Sequence, residues 1–229
     1  MHLLKSGKKC TGFPSLGQLP SLQDLSIVGF DEVVTVGLDF YGCSSANNTP
    51  FRSLEILNFE GMLKWEEWFP HDGENEAGAF PHLRELYLIV CPKLRGSLPK
   101  HLPSLTTLRI CECSHLETSL PTAPAIRELE LTYCNDFLLK ELPPTLHKLK
   151  IEGFNNLESL PEGAMDHNHC LEELIISDCP MLKSIPRGGL LTLLKKLDIF
   201  KCIGLEFPVY LPLRDCSKSI AVILSHHFR

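Results

Sequence analysis

One short spacing of apolar residues recurs eight times along this chain, and it limits the folds that the chain can adopt. Each copy has an apolar residue or cysteine at its first, fourth, sixth, ninth and twelfth positions. The intervals between successive first positions run from 20 to 32 residues. The first positions are Leu22, Leu54, Leu83, Leu105, Ile126, Leu146, Leu171 and Leu194. The chain is 44% hydrophobic, too little for this agreement to arise by chance.

The spacing predicts one short strand per copy. Side chains alternate between the two faces of a strand, so the fourth and sixth positions face one way and the third, fifth and seventh the other. A single copy has too few apolar side chains to fold alone, whereas stacked copies merge them into one core. This spacing and repeat length are typical of the leucine-rich repeat. We therefore predict an α/β-type repeat solenoid, a horseshoe with a concave parallel β-sheet.

Proline recurs on the return path of most copies, directly after an apolar residue. Proline has no amide hydrogen and fixes its own φ, so it disfavours a helix at these points. We expect a mostly irregular convex side with few short helices. The pairs are Leu98-Pro99, Leu120-Pro121, Leu142-Pro143, Leu160-Pro161, Ile185-Pro186 and Phe207-Pro208.

The pattern divides the chain into three parts. Residues 22–208 form an array of about eight repeats, with loop insertions near 31–50 and 66–80. Residues 1–21 are predicted to hold a partial N-terminal repeat, and residues 209–229 a degenerate C-terminal tail. Neither end shows an obvious polar capping repeat, which solenoids need. We expect a chain of marginal solubility alone, or a piece of a longer protein.

Composition indicates a cytoplasmic protein. The formal net charge of -6 argues against nucleic acid as a partner. No stretch approaches the roughly 20 apolar residues of a membrane span. The first nine residues lack the long apolar region of a secretory signal.

Ten cysteines are present, and five of them occupy one repeat position. An even number suggests disulfides, and metal ligation is a further alternative. The ninth position instead turns inward at the end of each strand, where a small, weakly donating thiol fits a buried slot. Reduced core thiols are typical of the cytosol. The cysteines at the ninth position are Cys91, Cys113, Cys134, Cys179 and Cys202.

No motif for catalysis, a cofactor or a metal stands out. The best metal-like cluster is His167-Asn168-His169-Cys170, where adjacent ligands lack an indicated fourth partner. Phosphate-binding glycine loops, nucleophile elbows and zinc-protease motifs are not found. We expect a protein that is not an enzyme and uses no cofactor or metal.

The outward positions of the repeats predict a protein-binding surface on the concave face. Charges are grouped there, acidic in the first two repeats and basic in the eighth, which favours a protein partner of complementary charge. Exposed aromatic residues supply possible anchors. The alternative is that these charges only solvate the solenoid. The predicted contact residues are Arg84, Tyr87, Arg109, Arg127, Tyr133, Lys148, Lys150, Glu172, Glu173, Lys195, Lys196, Phe200 and Lys201.

The inserted loops add one candidate. Trp65 holds the twelfth position of its repeat and is expected in the core. Trp68 holds no repeat position, and inserted loops often bind partners. We therefore predict Trp68 as a contact residue in the second loop.

Several segments together resemble a known family. They are FPSLGQLPSL at 13–22, FRSLEIL at 51–57, WEEW at 65–68 and CPKL at 91–94. These are similar to the repeat region of plant intracellular nucleotide-binding leucine-rich-repeat disease-resistance receptors of the coiled-coil class. The resemblance extends over residues 4–208.

That resemblance implies a role in defence. In such receptors the repeat region senses a pathogen effector or an altered host protein, and it restrains the nucleotide-binding domain. The implied partners are therefore an effector or host target and the nucleotide-binding domain of the parent receptor, whose motifs are not found in these 229 residues. The alternative is a stand-alone leucine-rich-repeat adaptor, such as the substrate receptor of a ubiquitin ligase.

Overall fold

The structure is a computed structural model, and it describes residues 2–5, 9–42, 49–69, 78–160, 168–185, 194–206 and 219–223. Twelve strands lie in this part of the chain. They are β1 (His2–Lys5), β2 (Asp24–Val28), β3 (Thr35–Val36), β4 (Ile56–Glu60), β5 (Glu67–Trp68), β6 (Glu85–Ile89), β7 (Thr107–Cys111), β8 (Glu128–Thr132), β9 (Lys148–Glu152), β10 (Glu173–Ser177), β11 (Lys196–Phe200) and β12 (Ser219–Ile223).

Ten of these strands form one parallel sheet, which confirms the predicted solenoid. Its order is β1-β2-β4-β6-β7-β8-β9-β10-β11-β12. We call each strand of this sheet a rung; each rung pairs only with the rungs before and after it in sequence. The register keeps equal repeat positions side by side; Leu174 lies between Leu149 and Leu197. Strand β1 falls within residues 1–21 and strand β12 within residues 209–229. Both ranges therefore contribute a rung to the sheet.

The repeat spacing explains which side chains are buried. In β10 the buried residues are Leu174 and Ile176, and the three residues around them are half-buried. The same alternation runs through the other complete rungs. All the side chains at the five core positions of the eight repeats are buried except Cys134 and Phe137, which are partly exposed. The core is thus one column behind the sheet.

The convex side is mostly irregular, as the prolines predict. Its helical segments in the described residues are a 3-10 turn at Leu16–Gln18, one α-helical turn, α1 (Leu38–Tyr41), and a 3-10 turn at Asp136–Leu139. Backbone bridges join some neighbouring returns, for example His101 with Thr122. These contacts align the return segments of adjacent repeats with each other, as the strands are aligned in the sheet.

The described parts of the two insertions pack into the core. Strands β3 and β5 pair in parallel to make a second, two-stranded sheet. Behind it lies a continuous cluster of rings in edge, tilted and stacked contact at 4.7 to 6.2 Å between ring centres. Its members are Phe13, Phe30, Phe40, Tyr41, Phe51, Phe59, Trp65, Trp68 and Phe80. We call this set the aromatic cluster.

The cysteines of the ninth position form a ladder of thiols against backbone carbonyls. Cys134 Sγ donates to the carbonyl of Ile110 at 3.1 Å and to that of Thr132 at 3.3 Å. Cys113 makes the equivalent contacts to Leu88 and Cys111 at 3.6 and 3.5 Å. Each of these thiols bonds one carbonyl of its own strand and one of the preceding rung. All eight cysteines in the described residues are free thiols.

The rate of alkylation should distinguish the buried thiols from the exposed ones. Burial raises the pKa of Cys134 to about 12, and a hydrogen bond with Cys91, followed by burial, raises that of Cys113. Since the thiolate is the nucleophile, iodoacetamide near neutral pH should modify the exposed Cys10 and Cys170 first. Peptide mass spectrometry of the native chain measures the order. Modification of Cys113 or Cys134 as fast as Cys170 would contradict the ladder.

Candidate protein-binding face

The exposed face of the large sheet presents its side chains in rows. We call it the concave face, and it comprises the second, third, fifth, seventh and eighth positions of each rung. Residues at equal positions are neighbours across the sheet, as Tyr87, Arg109 and Glu130 are at the fifth position. The rows run across all rungs, so a partner would meet side chains from several repeats at once.

The predicted contact residues other than Trp68 all lie on this face. Arg84, Arg127, Glu172 and Lys195 take the second position, and Lys148, Glu173 and Lys196 the third. Tyr87, Arg109 and Lys150 take the fifth, Phe200 the seventh, and Tyr133 and Lys201 the eighth. All of them are exposed or half-buried. Their contact with a partner stays a prediction.

Trp68 does not lie on the surface that we expected. Its side chain is 1% exposed, and its indole nitrogen donates to the Tyr41 hydroxyl at 2.7 Å. The strand β5 turns it inward, into the aromatic cluster, where it touches Trp65 at 5.5 Å between ring centres. The neighbouring Phe69 is the exposed ring of this loop, at 50%. Trp68 is therefore unavailable to a partner in the folded chain.

A polar ladder occupies the fifth position of six adjacent rungs. Asn58 donates to the Ser26 hydroxyl at 3.0 Å, and the Arg109 guanidinium lies 5.7 Å from the Tyr87 ring centre. Arg109 Nε and Lys150 Nζ both approach Glu130, at 3.1 and 2.9 Å. These charges are held by each other, so they shape the face more than they attract a partner.

Two members of the ladder have pKa values above their usual range. Burial, followed by a hydrogen bond to Glu85, raises the pKa of Tyr87 to about 12. Burial alone lowers the pKa of Lys150, but its bonds to Glu130 and Glu152 outweigh that and raise it. Lys150 therefore stays charged through the physiological range. Because its pKa is raised in the fold, its contribution to stability is present at neutral pH and lost only as the pH rises into the alkaline range.

The basic group predicted in the eighth repeat is largely neutralised within the chain. Lys195 pairs with Glu172 at 2.7 Å, and Lys196 with Asp198 at 3.0 Å. The hydrogen bond and charge of Lys195 hold the pKa of Glu172 below its usual range. The lysines of both pairs are exposed, and ion pairs at exposed side chains contribute little to stability. They reduce the positive charge that this part of the face presents, because each of the two lysines already has a carboxylate beside it.

Arg127 and Lys201 differ from those lysines. Within the described residues neither has a carboxylate within ion-pair distance. Arg127 Nη1 lies 3.2 Å from His147 Nε2, while His147 Nδ1 lies 2.9 Å from the Thr145 carbonyl. A carbonyl only accepts, so Nδ1 carries the proton and Nε2 accepts from Arg127 in a neutral ring. The remaining donors of Arg127 stay available.

A feature that the sequence analysis missed is the backbone at the eighth position. In all eight repeats this residue has a positive φ, between 50° and 74°. Gly29, Gly61 and Gly153 fill it in three repeats. Its amide donates across the sheet; that of Asp178 reaches the Phe200 carbonyl at 3.0 Å. The signal was present, since glycine at one repeat position often marks a left-handed residue.

Metal binding gains no support. No group of three or more possible ligands converges within the described part of the chain. His167 lies outside the described residues, and Asn168 is buried with its side chain bonded to the Pro143 carbonyl at 3.2 Å.

None of the helices in the described ranges has the length and hydropathy of a transmembrane segment.

Known proteins similar to this chain are plant defence proteins. Over 224 residues, 90% of its length, the chain is 32% identical to a putative disease resistance RPP13-like protein 1 of Arabidopsis thaliana. The chain is homologous to part of a plant disease-resistance protein. A second putative disease resistance protein of the same plant is 45% identical over 111 residues, 48% of the chain. The disease resistance protein RGA2 of Solanum bulbocastanum is 33% identical over 158 residues, 63% of the chain.

These relatives are much longer than the chain. It spans 21% of the first, 8% of the second and 15% of the third. No family model matches the chain. No solved structure matches it either.

Proposed function

We propose that this chain is the protein-recognition module of a plant immune receptor. The observation that carries the proposal is the 32% identity to a disease resistance protein over 90% of the chain. The module senses a pathogen effector or a host protein that an effector has altered. It also restrains a nucleotide-binding switch, which these 229 residues do not contain. It acts in the cytoplasm and by binding rather than by catalysis.

The concave face is suited to this role because its side chains are already organised. The polar ladder is held in place before any partner arrives, which reduces the entropy lost on binding. Charges without an internal partner attract complementary groups at a distance and speed association. On this face we assign that part to Arg127 and Lys201. No feature of the described residues favours the ubiquitin-ligase adaptor over the receptor module.

Charge reversal tests the assignment. The double variant Arg127→Glu with Lys201→Glu should bind a separately produced nucleotide-binding module of a plant disease-resistance receptor more slowly than the native chain. We expect a drop of about tenfold in association rate at low salt, shrinking as salt screens the charges. Biolayer interferometry over a salt series measures both effects.

A matched control changes the same charges elsewhere. Lys93 and Arg95 are exposed in the turn after β6, away from the concave face. The double variant Lys93→Glu with Arg95→Glu should bind at the native rate. Equal slowing by both variants would remove the concave face from the mechanism. Failure of the native chain to bind the module would overturn the restraining role.

A further inference from the structure

Five repeats carry a side chain at the eighth position where glycine would be the relaxed choice. A non-glycine residue in the left-handed region costs on the order of 1 kcal/mol. Glycine serves in three repeats, yet Val90, Glu112, Tyr133, Asp178 and Lys201 adopt the same backbone at φ near 50°. These side chains line one edge of the concave face, which we call the rim.

Tyr133 is the fixed centre of the rim. Its ring lies across Gly153, where a Cβ atom would come within 2.2 Å of a ring carbon. Its hydroxyl reaches the rung beyond and donates to Asp178 Oδ2 at 2.9 Å. The ring nevertheless stays 42% exposed. A large side chain is thus held in one position on the surface.

The surroundings of Tyr133 are acidic. The hydrogen bond to Asp178 is the main cause of a raised Tyr133 pKa, and the charges of Asp178, Glu152 and Glu112 add to it. Lys150 pairs with Glu152 at 3.0 Å and so offsets one of these charges. Glu112 is exposed and has no cation within ion-pair distance among the described residues. Lys201 lies one rung beyond Asp178.

Elsewhere on the concave face, an aromatic ring and a carboxylate together bind an arginine side chain. Arg109 rests 5.7 Å from the centre of the Tyr87 ring while its Nε lies 3.1 Å from Glu130. A guanidinium between an aromatic face and a carboxylate gains from both the ring quadrupole and the ion pair. Tyr133 has the ring and the carboxylates, and no arginine of the described chain fills the place.

We propose that Tyr133, Glu112 and Asp178 form a subsite for an arginine side chain of the protein that the chain senses, held as Arg109 is held on Tyr87. The proposal rests on the proposed function and specifies the partner's chemistry, a basic segment that reaches the rim between the fourth and seventh repeats. The exposed ring of Tyr133 is the anchor, and the carboxylates of Glu112 and Asp178 select a cation.

A peptide of alternating arginine and glycine tests the subsite on the full chain. With ring-labelled tyrosine, NMR should show saturable shifts of the Tyr133 signal, which Tyr133→Phe identifies by its loss. The same peptide with citrulline, a neutral analogue of arginine, should leave that signal unmoved. Tyr133→Leu should weaken binding of the arginine peptide by about two- to fivefold. Tyr133→Phe keeps the ring over Gly153 and should lose less binding than Tyr133→Leu.

Charge-matched variants decide between a subsite and general attraction. Glu112→Gln should weaken binding by a similar factor, whereas Glu141→Gln, at an exposed carboxylate outside the strands, should not. Equal effects of both variants, an unmoved Tyr133 signal or equal binding of the citrulline peptide would overturn the subsite. None of these results bears on the binding of the nucleotide-binding module, so they leave the proposed function in place.

Discussion

Replacing Trp68 with alanine should lower the free energy of unfolding by about 3 to 5 kcal/mol. The substitution removes a fully buried indole from the middle of the aromatic cluster, together with its hydrogen bond to the Tyr41 hydroxyl. Three rings lose a contact, those of Phe59, Trp65 and Phe80. Urea denaturation followed by circular dichroism measures the change.

The next residue in the chain supplies the control. Phe69 is half-exposed, so Phe69→Ala should cost less than about 1 kcal/mol. The pair separates two roles for the insertion. If Trp68→Ala left the free energy of unfolding unchanged, Trp68 would lie on the surface, as the sequence alone suggested.

Leu174→Ala should destabilise the array by about 2 to 5 kcal/mol. Leu174 is fully buried in β10 and lies in register with Leu149 and Leu197. Since each rung contacts only its neighbours, the loss should spread to β9 and β11 before the distant rungs. Hydrogen exchange of the strand amides measures this gradient.

Ile175→Ala is the matched control because Ile175 occupies the next position on the opposite face of the same strand. Its side chain is half-buried on the concave face, so its loss leaves no internal cavity and should cost less than half as much. A uniform fall in protection along the whole sheet after Leu174→Ala would contradict nearest-neighbour coupling.

The sheet and its register were predictable from sequence because strand alternation and repeat spacing decide both. Positions such as Leu174 and Cys113 need only their place in the repeat to be assigned to the core. The same alternation places Tyr87 and Arg109, at the fifth position, on the concave face. This is local information, repeated along the chain, and it does not depend on distant contacts.

Other features depend on contacts that the spacing does not encode. Trp68 is buried because two insertions meet and pair as β3 and β5, which no repeat position specifies. The pairing of Lys195 with Glu172 follows from their shared second position in adjacent repeats, and it is hidden when charges are grouped along the chain instead of across the sheet. The reach of Tyr133 over Gly153 to Asp178 needs side-chain geometry.

The aromatic cluster has a consequence for how such genes diversify. Rings from residues 13 to 80 interlock the N-terminal segment with the first two repeats, so recombination inside that stretch would mix side chains shaped for different neighbours. From the third repeat onward each rung meets the next through the same register. Unequal crossing-over there can delete, duplicate or trade single units and still yield a foldable product. Sequence changes that preserve the fold should therefore accumulate faster from the third repeat onward than in residues 13–80.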